Sequence, residues 1–149
     1  MRIEEEIKQS RFKNANEKAV INILYTNNWL NHQLYRFYGL YDISSQQFNV
    51  LRILRGLNDK PASISLLNER MLDKMSNVSR LVDKLIAKGL VIRQVCETDR
   101  RQVDVVITQK GLTIVHEISV KLDVEIQKLV NINEEEAETL SNLLDKLRS

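Results

Sequence analysis

At 149 residues the chain suits one domain, and 43% apolar content is enough to build a real core. Only four Gly and one Pro interrupt a sequence rich in Leu, Ile, Lys, Glu and Gln, which favours a mostly helical protein. A net charge of +2 singles out no partner, and the one cysteine, Cys96, excludes an internal disulfide.

The first 43 residues read as helix. Val20, Ile23, Leu24, Leu30, Leu34, Phe37 and Tyr38 recur at threes and fours, with a polar pair at Asn27-Asn28, and Gly39 and Asp42 mark the end. A shorter amphipathic piece around Ile3 and Ile7 precedes it. Ser44 or Ser45 can cap the next helix, whose apolar side is Phe48, Val50, Leu51, Ile53 and Leu54. Gly56 to Pro61 is a loop with Gly, Asn, Asp and Pro close together. A short helix from about Ser63 to Arg70 follows.

The sharpest pattern comes next. Val78, Leu81, Val82, Leu85 and Ile86 fall at i, i+3, i+4, i+7 and i+8, one apolar stripe. At 100° per residue Ser76 and Arg80 lie opposite that stripe, with Asn77, Ser79 and Lys84 on its shoulders. Gly89 stands where a helix commonly ends on a left-handed residue. The expected helix runs from about Asp73 to Gly89.

Beyond Gly89 the period changes from 3.6 to about 2. Leu90 to Cys96 is β-branched, and Val103, Val105 and Ile107 alternate with Asp104, Val106 and Thr108. The intervening Glu97-Thr98-Asp99-Arg100-Arg101 makes this a hairpin with a basic tip. Thr108 can cap a helix carried by Leu112, Val115, Ile118, Leu122, Ile126 and Leu129. Asn133 can cap a last one, where Glu134-Glu135-Glu136 complement the positive helix start. Its Leu140, Leu143, Leu144 and Leu147 must pack against something.

The predicted fold is mainly α with a small β-hairpin (α+β), in the order of a winged helix-turn-helix. B-form DNA accepts a helix in its major groove, and Lys/Arg in a wing can reach the minor groove. The charge distribution agrees. Residues 44–111 hold 12 Lys/Arg against 7 Asp/Glu, a balance of +5, while the remainder holds 10 against 13, a balance of −3.

Catalytic and metal chemistry find little to stand on. No phosphate-cradling glycine loop is present, and Cys96 lacks an orienting partner that would make a nucleophilic pair. Cys96 precedes Glu97, which would raise rather than lower a thiol pKa, so it reads as structural and not as a redox sensor. His32 and His116 have no second His or Cys at ligand spacing, so neither a metal nor another cofactor is expected. No apolar stretch approaches the roughly 20 residues that span a membrane, and the acidic start is not a secretory signal. The expectation is a cytoplasmic protein that is not an enzyme.

Four motifs in order carry a resemblance: Ser76-Asn77-Val78-Ser79-Arg80-Leu81-Val82-Asp83-Lys84-Leu85, Lys88-Gly89-Leu90-Val91, Asp99-Arg100-Arg101, and Ile107-Thr108-Gln109-Lys110-Gly111. Together they resemble the MarR family of bacterial transcriptional regulators. The resemblance implies one MarR-like domain spanning residues 1–149. Within it, residues 1–43 and 112–149 are dimerisation helices and residues 44–111 a DNA-binding lobe. It implies a homodimer on double-stranded DNA, repressing at a palindromic operator and released when a small, often aromatic, effector or an oxidant changes the spacing of the domains.

Carried over residue by residue, the resemblance assigns DNA contact to Ser76, Asn77, Ser79, Arg80 and Lys84. Arg100 or Arg101 enters the minor groove, and Asp99 structures the wing by pairing with a neighbouring Arg. One stretch departs from the family pattern: Glu69 to Met75 is not a small, glycine-containing turn. Either the recognition helix starts early, near Asp73, and Lys74 joins the contact set, or the turn is longer than usual. Tyr25, Trp29, His32 and Arg36 on the long first helix would line the crevice where family ligands bind. The same residues can equally serve as core or interface. The rival reading overall is a winged-helix protein-interaction module that never touches DNA.

Overall fold

The computed structural model describes residues 1–58, 60–95 and 103–149. Cys96, Asp99, Arg100 and Arg101 lie outside the described residues. The described residues form seven helices and three strands: α1 (Ile3–Glu6), α2 (Ala15–Gly39), α3 (Ser45–Gly56), β1 (Ala62–Ser63), α4 (Ile64–Arg70), α5 (Val78–Ala87), β2 (Val91–Val95), β3 (Val103–Ile107), α6 (Gln109–Leu129) and α7 (Glu134–Arg148). The sheet is antiparallel in the order β1-β3-β2. Helix-turn-helix followed by paired strands is the winged helix that the period change implies.

The long first helix is one piece. Asn27-Asn28 does not interrupt α2, because both side chains stay exposed and Asn31 Nδ2 donates to Asn27 Oδ1 at 3.2 Å, along the helix rather than against it. The helix ends in a left-handed residue that is not glycine, Asp42 (φ 53°). Ile43 N–H bonds back to Tyr38 O and Asp42 N–H to Gly39 O, satisfying carbonyls the helix would otherwise orphan. Short α1 folds back on α2 through a Glu4–Lys18 ion pair and buries Ile3.

Ser44 is the residue that caps α3. Its Oγ accepts from Gln47 N–H, and the Gln47 side chain accepts from Ser44 N–H in return. Val50, Leu51 and Leu54 of α3 form the centre of the core with Leu67 of α4 and Val78, Val82 and Leu85 of α5. Val91 and Val105 of the sheet and Val115 and Ile118 of α6 close it. Each is essentially shielded from water, and burying such a side chain contributes about 1.5–3 kcal/mol.

Two expectations are corrected. The helix expected from Asp73 begins at Val78, with Asn77 as its N-cap. The residues from Met71 to Ser76 form a turn instead, because Asp73 Oδ1 accepts from Met75 N–H at 2.9 Å and Asp73 O from Ser76 N–H at 3.2 Å. The longer-turn alternative is the one adopted. The wing also holds a third strand. Two-residue β1 pairs Ala62 with Val105 and Ser63 with Asp104, and Ser63 then caps α4.

Tyr38 sits in the core beside Phe37 and Phe48, with ring centroids at 5.4 and 5.1 Å. Burial pushes its hydroxyl up to about 12 from the ordinary 10.0. The folded protein therefore keeps this proton at pH values where an unfolded chain has released it. Stability is expected to fall as pH rises from about 10 towards 12, a trend that urea midpoints taken across that range would reveal. Tyr38→Phe should lessen the slope.

Candidate nucleic-acid interface

Helix α5 is fixed at both ends. Asn77 Oδ1 accepts from Arg80 N–H at 3.1 Å at its start, and Gly89 (φ 70°) closes its end with Leu90 N–H bonded to Leu85 O. With Val78, Val82 and Leu85 buried, the helix has no rotational freedom, so Ser79, Arg80, Asp83 and Lys84 face water. The preceding turn is held too: buried Asn49 of α3 accepts from Leu72 N–H at 2.9 Å through Oδ1.

These constraints make an open groove of about 370 Å³ along the outer start of α5. Four residues expected to contact DNA converge on it: Ser76, Asn77, Arg80 and Lys84. Ser76 and Asn77 do so from the turn and cap rather than from the helix body. Ser79 is exposed but lies outside the groove wall. Lys74 is turned back, its ammonium donating to the Glu69 carbonyl at the end of α4. The groove joins two cations, Arg80 and Lys84, to one carboxylate, Asp73, whose Oδ1 is occupied by a backbone N–H.

Three residues with a part in this surface escaped the sequence reading. Gln46 of α3 and Met75 of the turn line the groove. The capping pair Ser44 and Gln47 is the signal that would have placed Gln46 outward, and Asp73 two residues before Met75 is the signal for the turn. Arg93 of β2 forms an ion pair with Asp83 of α5, Nη2 to Oδ1 at 2.7 Å. That pair struts the wing against the helix, and only the fold brings its members together.

Outside the lobe, Tyr25, Trp29, His32 and Arg36 follow one another at i, i+4, i+7 and i+11 along α2 and so share a face. The Tyr25 hydroxyl donates to Glu6 of α1 at 2.6 Å, and this carboxylate holds the hydroxyl above the usual tyrosine range. His32 and Trp29 are exposed. Arg36 lines an open cavity of about 570 Å³ at the corner between α2 and α3, with Tyr35, Asp42, Gln47 and Lys88 among the other lining residues. Tyr25, Trp29 and His32 do not reach it.

The pattern of the MarR family matches residues 41–102, the stretch that carries α3, α4, α5 and β2. The likeness extends further along the chain. The HTH-type transcriptional regulator MhqR of Bacillus subtilis (strain 168) is 27% identical over 119 residues, covering 79% of this chain and 81% of that protein. The central lobe is thus similar to the MarR family, and the likeness to a regulator of this kind runs through most of the chain.

The solved structures agree. A MarR-like transcription regulator from Bacillus cereus ATCC 10987 superposes with a TM-score of 0.77 at 26% identity, covering 89% of this chain and 95% of its own. The fold is shared at greater distance by S. aureus MepR in a DNA-binding conformation, with a TM-score of 0.70, 22% identity, and 87% and 95% of the two chains covered. The central lobe thus shares the winged-helix fold of MarR-like transcription regulators and matches the pattern of that family. Among the described residues no helix is long and apolar enough to cross a membrane.

Proposed function

We propose that this chain is a transcriptional regulator of the MarR family, a homodimeric, sequence-specific repressor that places α5 in successive major grooves of a palindromic operator. The observation that carries the reading is the convergence of Ser76, Asn77, Arg80 and Lys84 on one groove of a helix locked by caps at both ends. Preorganised donors lose little freedom on binding, which favours direct readout of base edges. Residues 44–111 act as the DNA lobe and residues 1–43 and 112–149 as the dimer frame. Unburied apolar positions support the frame: Val20 and Leu24 on α2, Val120 and Val124 on α6, and Leu140, Leu143 and Leu147 on α7. Release by a small aromatic effector is proposed for the corner cavity, with Arg36 on its wall and Tyr25, Trp29 and His32 further along the same helix face. The site of action is the cytoplasm.

The test is selection of duplexes from a random-sequence pool. Arg80→Ala is expected to weaken binding to the selected duplex by about 1–3 kcal/mol, roughly 5- to 150-fold, and to relax preference at one base position. Equal binding by wild type and variant would remove Arg80 from the readout. Arg100 and Arg101, proposed as minor-groove contacts with Asp99 as their ordering partner, should behave differently. Replacing both arginines with Ala is expected to lower affinity across sequences and to flatten the slope of log affinity against log salt by up to about two units. Failure of the wild-type protein to enrich any duplex, or to be retained on random duplex DNA, would favour a protein-interaction module instead.

A further inference from the structure

The turns that close α2 and α5 are joined by a side chain, that of Lys88. Asp42 ends α2 at φ 53° and Gly89 ends α5 at φ 70°, each sealing its helix with the same pair of backward backbone bonds. Between them stands Lys88. A lysine at a helix C-terminus would ordinarily complement its own helix's free carbonyls. This one reaches across to the Asp42 carbonyl, which the helix closure leaves free, and lies 3.2 Å from Asp42 Oδ2.

The carboxylate of Asp42 is 97% exposed, so its share of the attraction is screened by water. The carbonyl is fixed backbone and is the acceptor that holds geometry. Lys88 is itself tied from the opposite side, because its carbonyl accepts from Lys110 Nζ at 2.9 Å and the next carbonyl, Gly89 O, from Thr108 Oγ1 at 2.8 Å. Helix α5 packs on α3, α4 and β2. Among the described residues, the Lys88 side chain is the one that hydrogen-bonds the end of α5 to the corner where α2 becomes α3.

We propose that Lys88 is a positioning residue for DNA recognition: its hydrogen bond to the Asp42 carbonyl sets the angle of α5 relative to α2, and so the geometry in which the two recognition helices of a dimer meet an operator. The inference rests on the DNA-binding reading above. Lys88 contacts no base in this account; it acts through the direction of the helix that carries Arg80 and Lys84.

The experiment uses the full-length protein, a duplex selected by the wild type from a random pool, and a random duplex of equal length. Lys88→Met keeps the apolar stem and deletes the donor, whereas Lys88→Arg restores one. Lys88→Met is expected to bind the selected duplex about fivefold or more weakly. Its affinity for random duplex, its salt slope and its thermal midpoint should stay at wild-type values, and Lys88→Arg should recover tight binding. Wild-type affinity in Lys88→Met overturns the proposal. So does a salt slope lower by about one unit with an equal loss on random duplex, which marks a phosphate contact. Loss of the thermal midpoint overturns it too, because the residue is then structural and Lys88→Arg would rescue stability rather than selectivity. Failure of the wild type to enrich any duplex removes the DNA reading itself, an outcome visible before either variant is made.

Discussion

Gly111→Ala is expected to be strongly destabilising, although it adds a single methyl group. Gly111 lies in the first turn of α6, where its N–H donates to the Thr108 cap at 3.1 Å. A Cβ added there would stand 2.2 Å from Leu90 O, 2.7 Å from Ile107 Cγ1 and 3.1 Å from Leu90 C. The isoleucine can rotate, but the carbonyl cannot. Leu90 O already accepts from Thr108 N–H at 3.0 Å, and Leu90 is anchored by the closure of α5 and leads directly into β2. Relief requires α6 to lift from the sheet or β2 to move with α5. Overpacking of this kind costs about 3 kcal/mol or more, a large share of the stability of a marginally stable domain. The measurement is a urea midpoint with the slope checked for constancy. Gly39→Ala and Gly56→Ala are the controls, since a Cβ at either meets nothing within 4 Å. If all three variants unfold at the same urea concentration, the close approach at Gly111 is absent.

The second large effect concerns assembly. Helix α7 buries none of its residues within the chain, although Leu140, Leu143 and Leu147 repeat at helical spacing and are each about half exposed or more. Asn133 and Glu136 cap it reciprocally, so its start is well defined without a hydrophobic anchor. Replacing Leu143 and Leu147 together with Lys places two charges on the face proposed for the partner subunit and removes nothing from the core. The variant should sediment as a folded monomer. Its binding to a palindromic duplex should fall by about 100-fold or more, because each half-site then binds alone and loses the effective concentration supplied by its partner. A variant that still sediments as wild type does would show that α7 lies outside the interface.

Much of the fold could be read from residues whose effect is local. Ser44, Thr108 and Asn133 cap the helices they precede, and Gly89 is left-handed where the stripe from Val78 to Ile86 stops. The stripe itself fixes which way Arg80 points. Features that depend on distant partners were not legible. Strand β1 has two residues, too few for any periodicity, and exists because β3 offers Ala62 and Ser63 a pairing edge. The late start of α5 follows from Asp73 bonding the Met75 and Ser76 amides, a local choice that the apolar pattern does not constrain. Asp83 and Arg93 read as ordinary surface charges until the chain turns at Gly89 and sets them 2.7 Å apart. The packing of α5 on α3 likewise brings Lys88 to Asp42, 46 residues away in sequence.

The closure at Leu90 makes the lobe's two attachments unequal. On the α6 side, backbone meets backbone: Thr108 N–H on Leu90 O, with Gly111 pressed against the same carbonyl. On the α2 side, the link is made by side chains: Phe37, Tyr38 and Ile43 packed into the core, and Lys88 on the Asp42 carbonyl. Stiffness therefore differs across the lobe by construction. A rotation of the lobe would leave α6 moving with it as one body and would bend the chain at the α2–α3 corner. Amide exchange should record that order, with Thr108 N–H among the slowest to exchange and Asp42 N–H, on its 3.2 Å bond to Gly39 O, released well before it.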